Sequence, residues 1–226
     1  MEYMFDTINI EDIKHYSEFY KVTGITSNPS IIKLEGKINF FNHFKEIRKI
    51  IGMDKSLHIQ VVSEEYDGIM AEADAIIKNV DDKVYIKVPV TEQGLKAIRA
   101  LKAKGIGVTA TAIYTKVQGL LAMEAGADFI APYYNRMENM DIDPKAVITT
   151  FAQMIKEYHY STIILAASFK NMGQVNTAFE CGAQTATIQP ALLHAALKMP
   201  VSKKAVEDFT TDFETIFGKG VSIVDL

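Results

Sequence analysis

Cysteine is almost absent. Cys181 is the only one among 226 residues, so no disulfide can close within the chain and a zinc site built on several thiolates is excluded. Five histidines, His15, His43, His58, His159 and His194, fall at no spacing that would pair two of them on one helix face, and no metal site is expected. Basic charge is in short supply too: 24 Lys and Arg stand against 28 Asp and Glu, for a formal charge of −4. A nucleic-acid footprint needs the reverse balance, gathered on one face. Nowhere do eighteen apolar residues run together, and the N-terminus lacks the basic-then-apolar layout of a secretory signal. These absences lead to the expectation of a cytoplasmic protein in a reducing compartment, with a small molecule as its partner and neither nucleic acid nor membrane.

What is present is ordinary in bulk and regular in pattern. Apolar residues make up 48% and charged residues 23%, and no low-complexity or charge-block segment interrupts the chain. Eight short β-rich runs recur: "YMFDT" near the start, "GITSN" at 24, "LHIQVV" at 57, "VYIKVPV" at 84, "GVTATAIY" at 107, "DFIAPYY" at 128, "TIILAAS" at 162 and "TATIQP" at 185. Between them apolar residues return every three or four positions, as in Phe41, Phe44, Ile47, Ile51 and in Val147, Ile148, Phe151, Ile155, the mark of amphipathic helices. Helix ends carry their usual punctuation: Asn9 with Asp12 three residues on, Asp143 followed by Pro144, and Gly126 and Gly182 at helix-to-strand handovers.

Eight βα units in this length predict a single-domain (β/α)₈ TIM barrel over residues 1–226, with an open doubly wound sheet as the alternative. A Gly-rich dinucleotide fingerprint after the first strand is missing, which disfavours the open sheet. An extra C-terminal helix is expected at 202–218, capped by Ser202, with Phe209, Phe213, Ile216 and Phe217 in one stripe. That stripe has two open destinations: a neighbouring subunit, or the helix's own barrel.

One residue in these strands asks for an explanation. Within "VYIKVPV", alternation sends Val84, Ile86, Val88 and Val90 one way and Tyr85, Lys87 and Pro89 the other, which places an ammonium group inside the barrel. Desolvation lowers a lysine pKa and frees the amine lone pair for attack on a ketone. A structural ion pair with a carboxylate such as Asp6 explains the strand alone equally well. Other strand ends tip the balance, because "FDT", "ITSNPS", "IQ", "TATAIY", "APYYNR" and "AASFK" all bring polar groups to the carboxyl end of a predicted strand, where barrels of this kind assemble active sites.

Taken in order, "ITSNPSII", "KVPVTEQGLKAI", "APYYNR" and "AASFK" resemble the small class I transaldolase family, and within it the fructose-6-phosphate aldolase branch, from "MEYMFDT" to about "SKKAVEDF". The resemblance implies that Lys87 forms the iminium with a ketose, so that retro-aldol cleavage leaves an enamine and needs no cofactor. It further implies that Asp6 orients substrate hydroxyls and that Thr26 and Asn28 hold the enamine and its hydroxymethyl end. Tyr133, Gln60 and Thr111 would share proton handling. Transaldolases of the family carry glutamate and phenylalanine where this chain has Gln60 and Tyr133. Arg136, Ser168 and Lys170 match the family's phosphate-binding positions, with a guanidinium fork and an ammonium on a dianion. On plainer readings Tyr133 is a rim aromatic, Gln60 interior filler, and "NR" and "SFK" exposed loop residues.

Several positions depart from the family's pattern. Ser27 stands for a second threonine, Tyr134 follows Tyr133 where smaller aliphatics are common, Gln189 precedes the proline where leucine is usual, and His58 occupies an apolar place as an interior hydrogen-bonded histidine. The expected function is a class I aldolase that reversibly cleaves a ketose phosphate such as fructose 6-phosphate into dihydroxyacetone and glyceraldehyde 3-phosphate. Its rivals are a transaldolase of the pentose phosphate pathway, moving the dihydroxyacetone unit between sugar phosphates, and a barrel that binds sugar phosphate without turning it over. The resemblance also implies a homo-oligomer, a pentamer or decamer.

Overall fold

The computed structural model describes residues 1–226, in two compact units, Met1–Pro190 and Ala191–Leu226. The first runs β1 (Glu2–Asp6), α1 (Ile10–Ser17), β2 (Gly24–Thr26), α2 (Pro29–Glu35), α3 (Phe40–Ile51), β3 (Ser56–Gln60), α4 (Tyr66–Asn79), β4 (Tyr85–Pro89), α5 (Glu92–Ala103) and β5 (Val108–Ile113). It continues with α6 (Lys116–Glu124), β6 (Phe129–Pro132), α7 (Tyr134–Glu138), α8 (Pro144–Tyr158), β7 (Ile163–Ala166), α9 (Met172–Glu180) and β8 (Thr185–Ile188). Every strand pairs in parallel with its chain neighbours, and β8 closes on β1. All eight expected strands are there, and the closed ring decides for the barrel over the open sheet.

Alternation along each strand builds two separate interiors. Outward residues such as Phe5, Ile25, Ile59, Ile86, Val88, Ile130 and Ile164 are sealed under helices by Phe44, Ile47, Ile98, Leu101, Ile148 and Phe151. Each such side chain contributes about 1.5–3 kcal/mol of burial, so this layer holds the ring closed more than strand propensity does. Inward residues line up across the ring by register, Gln60 beside Lys87, Lys87 beside Thr109, and Pro89 beside Thr111.

The amino-terminal end of the ring is filled. Met4, Phe129 and Leu165 form its core with Tyr85 and Ile163 packed against them. His58 stacks on Tyr85 at 4.9 Å and meets Phe129 edge-on at 5.0 Å, while its ring nitrogens bond Thr109 Oγ1 at 2.7 Å and Ser56 Oγ at 2.8 Å. It is the interior hydrogen-bonded histidine anticipated. Ser56 in turn donates to the Thr23 carbonyl at 3.3 Å, so Nε2–H points at Ser56 and Nδ1 accepts from Thr109.

The anticipated caps form. Asn9 accepts the Asp12 N–H at 2.9 Å, Asp143 accepts the Lys145 N–H at 2.9 Å, and Gly126 and Gly182 take φ of 88° and 100° where a side chain would be strained. Two features had no sequence signal. The short helix α7 interrupts the passage from β6 to α8. Arg48 is buried, paired with Asp81 at 2.7 Å and donating to the carbonyls of Gly52 at 3.0 Å and Lys55 at 2.7 Å.

The second unit holds most of α10 (Pro190–Leu197), then α11 (Pro200–Phe217) and a 3₁₀ turn, Ile223–Asp225. The expected cap at Ser202 is wrong: α11 starts two residues earlier, with Met199 at its cap position and Pro200 first in the helix. Proline, with its φ preset and no N–H to leave unpaired, takes over the start. No residue of α11 is buried, and Phe209 and Ile216 are 70% and 76% exposed. No helix of the chain is long and apolar enough to cross a membrane.

Candidate active site

Lys87 sits in the middle of β4 with its side chain inside the ring, only 3% exposed. Its Nζ donates to the backbone carbonyl of Ser27 at 2.8 Å, and it takes part in none of the chain's ion pairs. Burial pushes the Lys87 amine below the usual lysine range, an effect that the Asp6 charge opposes. Asp6, at the end of β1, is shifted the other way: burial raises its carboxyl, against the lowering influence of Lys87 and of the Thr26 hydroxyl. A lysine that is less basic than usual, near a carboxylate yet not clamped by it, keeps its nitrogen available.

Lys87 opens on a cavity of about 210 Å³ whose walls include Asp6, Asn28, Tyr133, Arg136, Ser168 and Lys170. Six of the anticipated residues thus share one cavity with Lys87, drawn from the ends of β1, β2, β6 and β7. Two more stand behind this wall. Thr26 is fully buried, its hydroxyl 2.7 Å from Asp6 Oδ1 and 2.6 Å from Thr187 Oγ1, so it braces the carboxylate. Thr111 is likewise buried, with Oγ1 2.9 Å from the Tyr133 hydroxyl. Burial raises the Tyr133 phenol above the ordinary tyrosine range, opposed by its bond with Thr111.

Gln60 is placed differently. It lines a different cavity, with Val62, Pro89 and Thr91, and its Oε1 is buried without a hydrogen-bond partner. Arg136 projects from α7, its guanidinium 4.9 Å from the centre of the Tyr133 ring and donating to the Tyr114 hydroxyl at 3.4 Å. Ser168 holds a left-handed φ of 63°, a strained backbone of the kind that persists where surrounding structure fixes it. No three His, Cys, Asp or Glu side chains are grouped to hold a metal ion.

The family model for transaldolase/fructose-6-phosphate aldolase matches residues 3–225. The chain belongs to that family. It is therefore an enzyme, from a family whose members split or exchange carbon–carbon bonds of sugar phosphates. It is 50% identical over 216 residues to a probable fructose-6-phosphate aldolase of Streptococcus pneumoniae, covering 96% of this chain and 97% of that one. A probable transaldolase of Bartonella henselae is 35% identical over 214 residues, with 95% and 97% covered, and one of Geotalea daltonii 33% over 216 residues, with 96% and 99% covered.

Within this member of the transaldolase/fructose-6-phosphate aldolase family, several contributors escaped sequence reasoning. Thr187 holds Thr26, the Ser27 carbonyl holds Lys87, and Tyr114 meets Tyr133 edge-on at 5.6 Å. Thr187 had a signal, since "TATIQP" ends a strand at the same rim. The Ser27 contact had none, because a backbone carbonyl leaves no trace in residue type.

Proposed function

We propose that this enzyme is a class I aldolase that reversibly cleaves fructose 6-phosphate, or a closely related ketose phosphate, into dihydroxyacetone and glyceraldehyde 3-phosphate. The observation that carries the reading is a buried amine, less basic than usual, on a cavity that also presents a phenol, a guanidinium and a second lysine. Lys87 attacks the ketone carbon, and loss of water gives a protonated imine. That imine draws in the electron pair as the C3–C4 bond breaks and the C4 hydroxyl gives up its proton to water, leaving an enamine on Lys87 and releasing the aldehyde phosphate. Tyr133, tuned by Thr111, donates a proton to the enamine carbon and regains one from water; water then hydrolyses the imine and frees the ketone.

Asp6, braced by Thr26, and Asn28 orient the sugar hydroxyls, while Arg136, Ser168 and Lys170 grip the phosphate. A phenol can act as donor here because burial keeps it protonated. The exposed stripe of α11 supports a homo-oligomer in which this helix reaches a neighbouring copy, a pentamer or decamer. Barrel and C-terminal helix then form one functional domain in the cytoplasm.

The transaldolase reading rests on relatives that carry that name at 33–35% identity. One experiment separates the two: fructose 6-phosphate is supplied alone and free dihydroxyacetone is measured, with borohydride trapping followed by mass spectrometry of the peptide containing Lys87. Ketone release with no acceptor sugar is the expected result. Release that vanishes until erythrose 4-phosphate is added makes the enzyme a transferase, and absence of any adduct removes Lys87 as the covalent catalyst.

A further inference from the structure

We propose that Gln118, in the first turn of α6, is a positioning residue for proton transfer at Tyr133: its side-chain amide clips a left-handed turn of β5 into the shape that sets Thr111 and Tyr114 against the phenol. The inference rests on the role given to Tyr133 above.

The turn is a break in strand alternation. Thr109 and Thr111 face the barrel interior, and regular pleating would bring Ile113 inward next. Instead the register between β5 and β6 shifts between Ala110 and Ile113, and Ile113 pairs with Pro132. Ala112 takes up the extra residue with φ of 57°. Ile113 is thereby buried among the outward set, and Tyr114 turns toward Tyr133. Bulges re-aim side chains in this way beside active sites.

Alanine in the left-handed region is strained and stays there only if its surroundings hold it. Gln118 does the holding. Its Oε1 accepts the N–H of Tyr114 at 2.9 Å, the N–H of Thr115 at 3.1 Å and the Thr115 hydroxyl at 3.2 Å, while Nε2 reaches the Ala112 carbonyl at 3.5 Å. A capping box at a helix start needs only the contacts to Thr115. Those to Tyr114 and Ala112 lie upstream, in the turn itself, and serve no helix end.

The turn governs both partners of the phenol. On one side Thr111 Oγ1 stands 2.9 Å from the Tyr133 hydroxyl. On the other, Tyr114 abuts the Tyr133 ring and receives Arg136 through its own hydroxyl. Gln118 lies outside the cavity lining, so it acts through these residues rather than on substrate.

The test uses the full-length enzyme with fructose 6-phosphate and three readouts: melting temperature, borohydride adduct at Lys87, and ketone release without acceptor. Gln118→Met, which keeps length and removes both polar atoms, should trap normally while releasing ketone at least about tenfold more slowly, since misplacement of a proton donor costs rate steeply. Gln118→Glu keeps an acceptor oxygen for Tyr114 and Thr115 and should recover release to within roughly threefold of the parent. In a Tyr133→Phe background Gln118→Met should change nothing more, because a residue acting through the phenol has nothing left to act through.

Normal release by folded Gln118→Met overturns the inference, as does a further loss on top of Tyr133→Phe, or a Gln118→Glu enzyme as slow as Gln118→Met. Should Gln118→Met not fold, Gln118→Asn withdraws the same amide by one methylene and is judged by the same criteria. If Tyr133→Phe itself leaves release intact, it is the role of Tyr133 that fails; if only the Gln118 variants do, the clip alone falls.

Discussion

Lys87→Met should yield a protein that is inactive and more stable than its parent. Lys87 is 3% exposed, and one carbonyl is its only hydrogen-bond partner. Removing an ammonium from water costs several kcal/mol in practice. Against this stand about 1.5–3 kcal/mol for a bond from a charged donor and the attraction of Asp6, leaving a net penalty of about 1–3 kcal/mol that methionine, similar in size and uncharged, does not incur. For a chain of this size each kcal/mol moves the melting temperature by about 2–4 °C, so the variant should melt roughly 2–12 °C higher at pH 7.

A pH series adds a second condition. Burial lowers the folded-state pKa of Lys87 below its unfolded value, so within that window the unfolded chain binds more protons and parent stability rises with pH. The penalty is full below the folded pKa and gone above the unfolded one. The advantage of Lys87→Met is therefore largest near neutrality and shrinks as pH climbs toward the ordinary lysine range. Thermal melts followed by circular dichroism, from pH 7 to 10, read both quantities. A variant that melts below its parent at pH 7, or a gap that stays constant with pH, refutes the picture of an uncompensated buried amine.

Tyr133→Phe should slow ketone release by about 10²–10⁴-fold while the borohydride adduct still forms, because it deletes a proton donor and leaves the nucleophile; release that is unchanged removes Tyr133 from proton transfer. Arg136→Ala should raise KM for glyceraldehyde 3-phosphate in the synthetic direction by about 10–100-fold, the worth of a charge-assisted bond, and leave KM for unphosphorylated glyceraldehyde nearly untouched. Equal effects on both aldehydes would show that Arg136 does not read the phosphate. Arg48→Leu should lower stability by about 3–5 kcal/mol, seen as a drop in the urea midpoint, since Asp81 and two carbonyls lose their buried partner; a shift under 1 kcal/mol would mean water replaces the guanidinium.

The barrel was legible because its signals are local. A period of two in eight short runs, a period near 3.6 between them, and Asn9, Asp143, Gly126 and Gly182 at the joints each depend on neighbours a few residues away. Lys87 was legible for a related reason: one charge among aliphatics breaks a strand pattern that otherwise predicts full burial. Other details depend on long-range partners. Thr26 braces Asp6 only because Thr187, 161 positions on, bonds the same hydroxyl. Gln60 pairs with Lys87 in register, yet it lines a different cavity with Val62, Pro89 and Thr91, a placement set by residues far apart in the chain. The flip at Ala112 is hidden in "TATAIY", where an unbroken alternation reads equally well. The start of α11 departs from serine's capping habit because Pro200, with its preset φ, begins the helix two residues earlier.

The filled end of the ring, with His58, Tyr85 and Phe129 wedged among Met4 and Leu165, closes the chamber on its amino-terminal side, so passage runs toward the carboxyl ends of the strands. In the proposed reaction one fragment is fastened to Lys87 when the bond breaks and the other is loose, and both face the same exit. Traffic is then sequential by construction: the untethered aldehyde departs first, water enters by the route it vacated, and only afterwards does the ketone go.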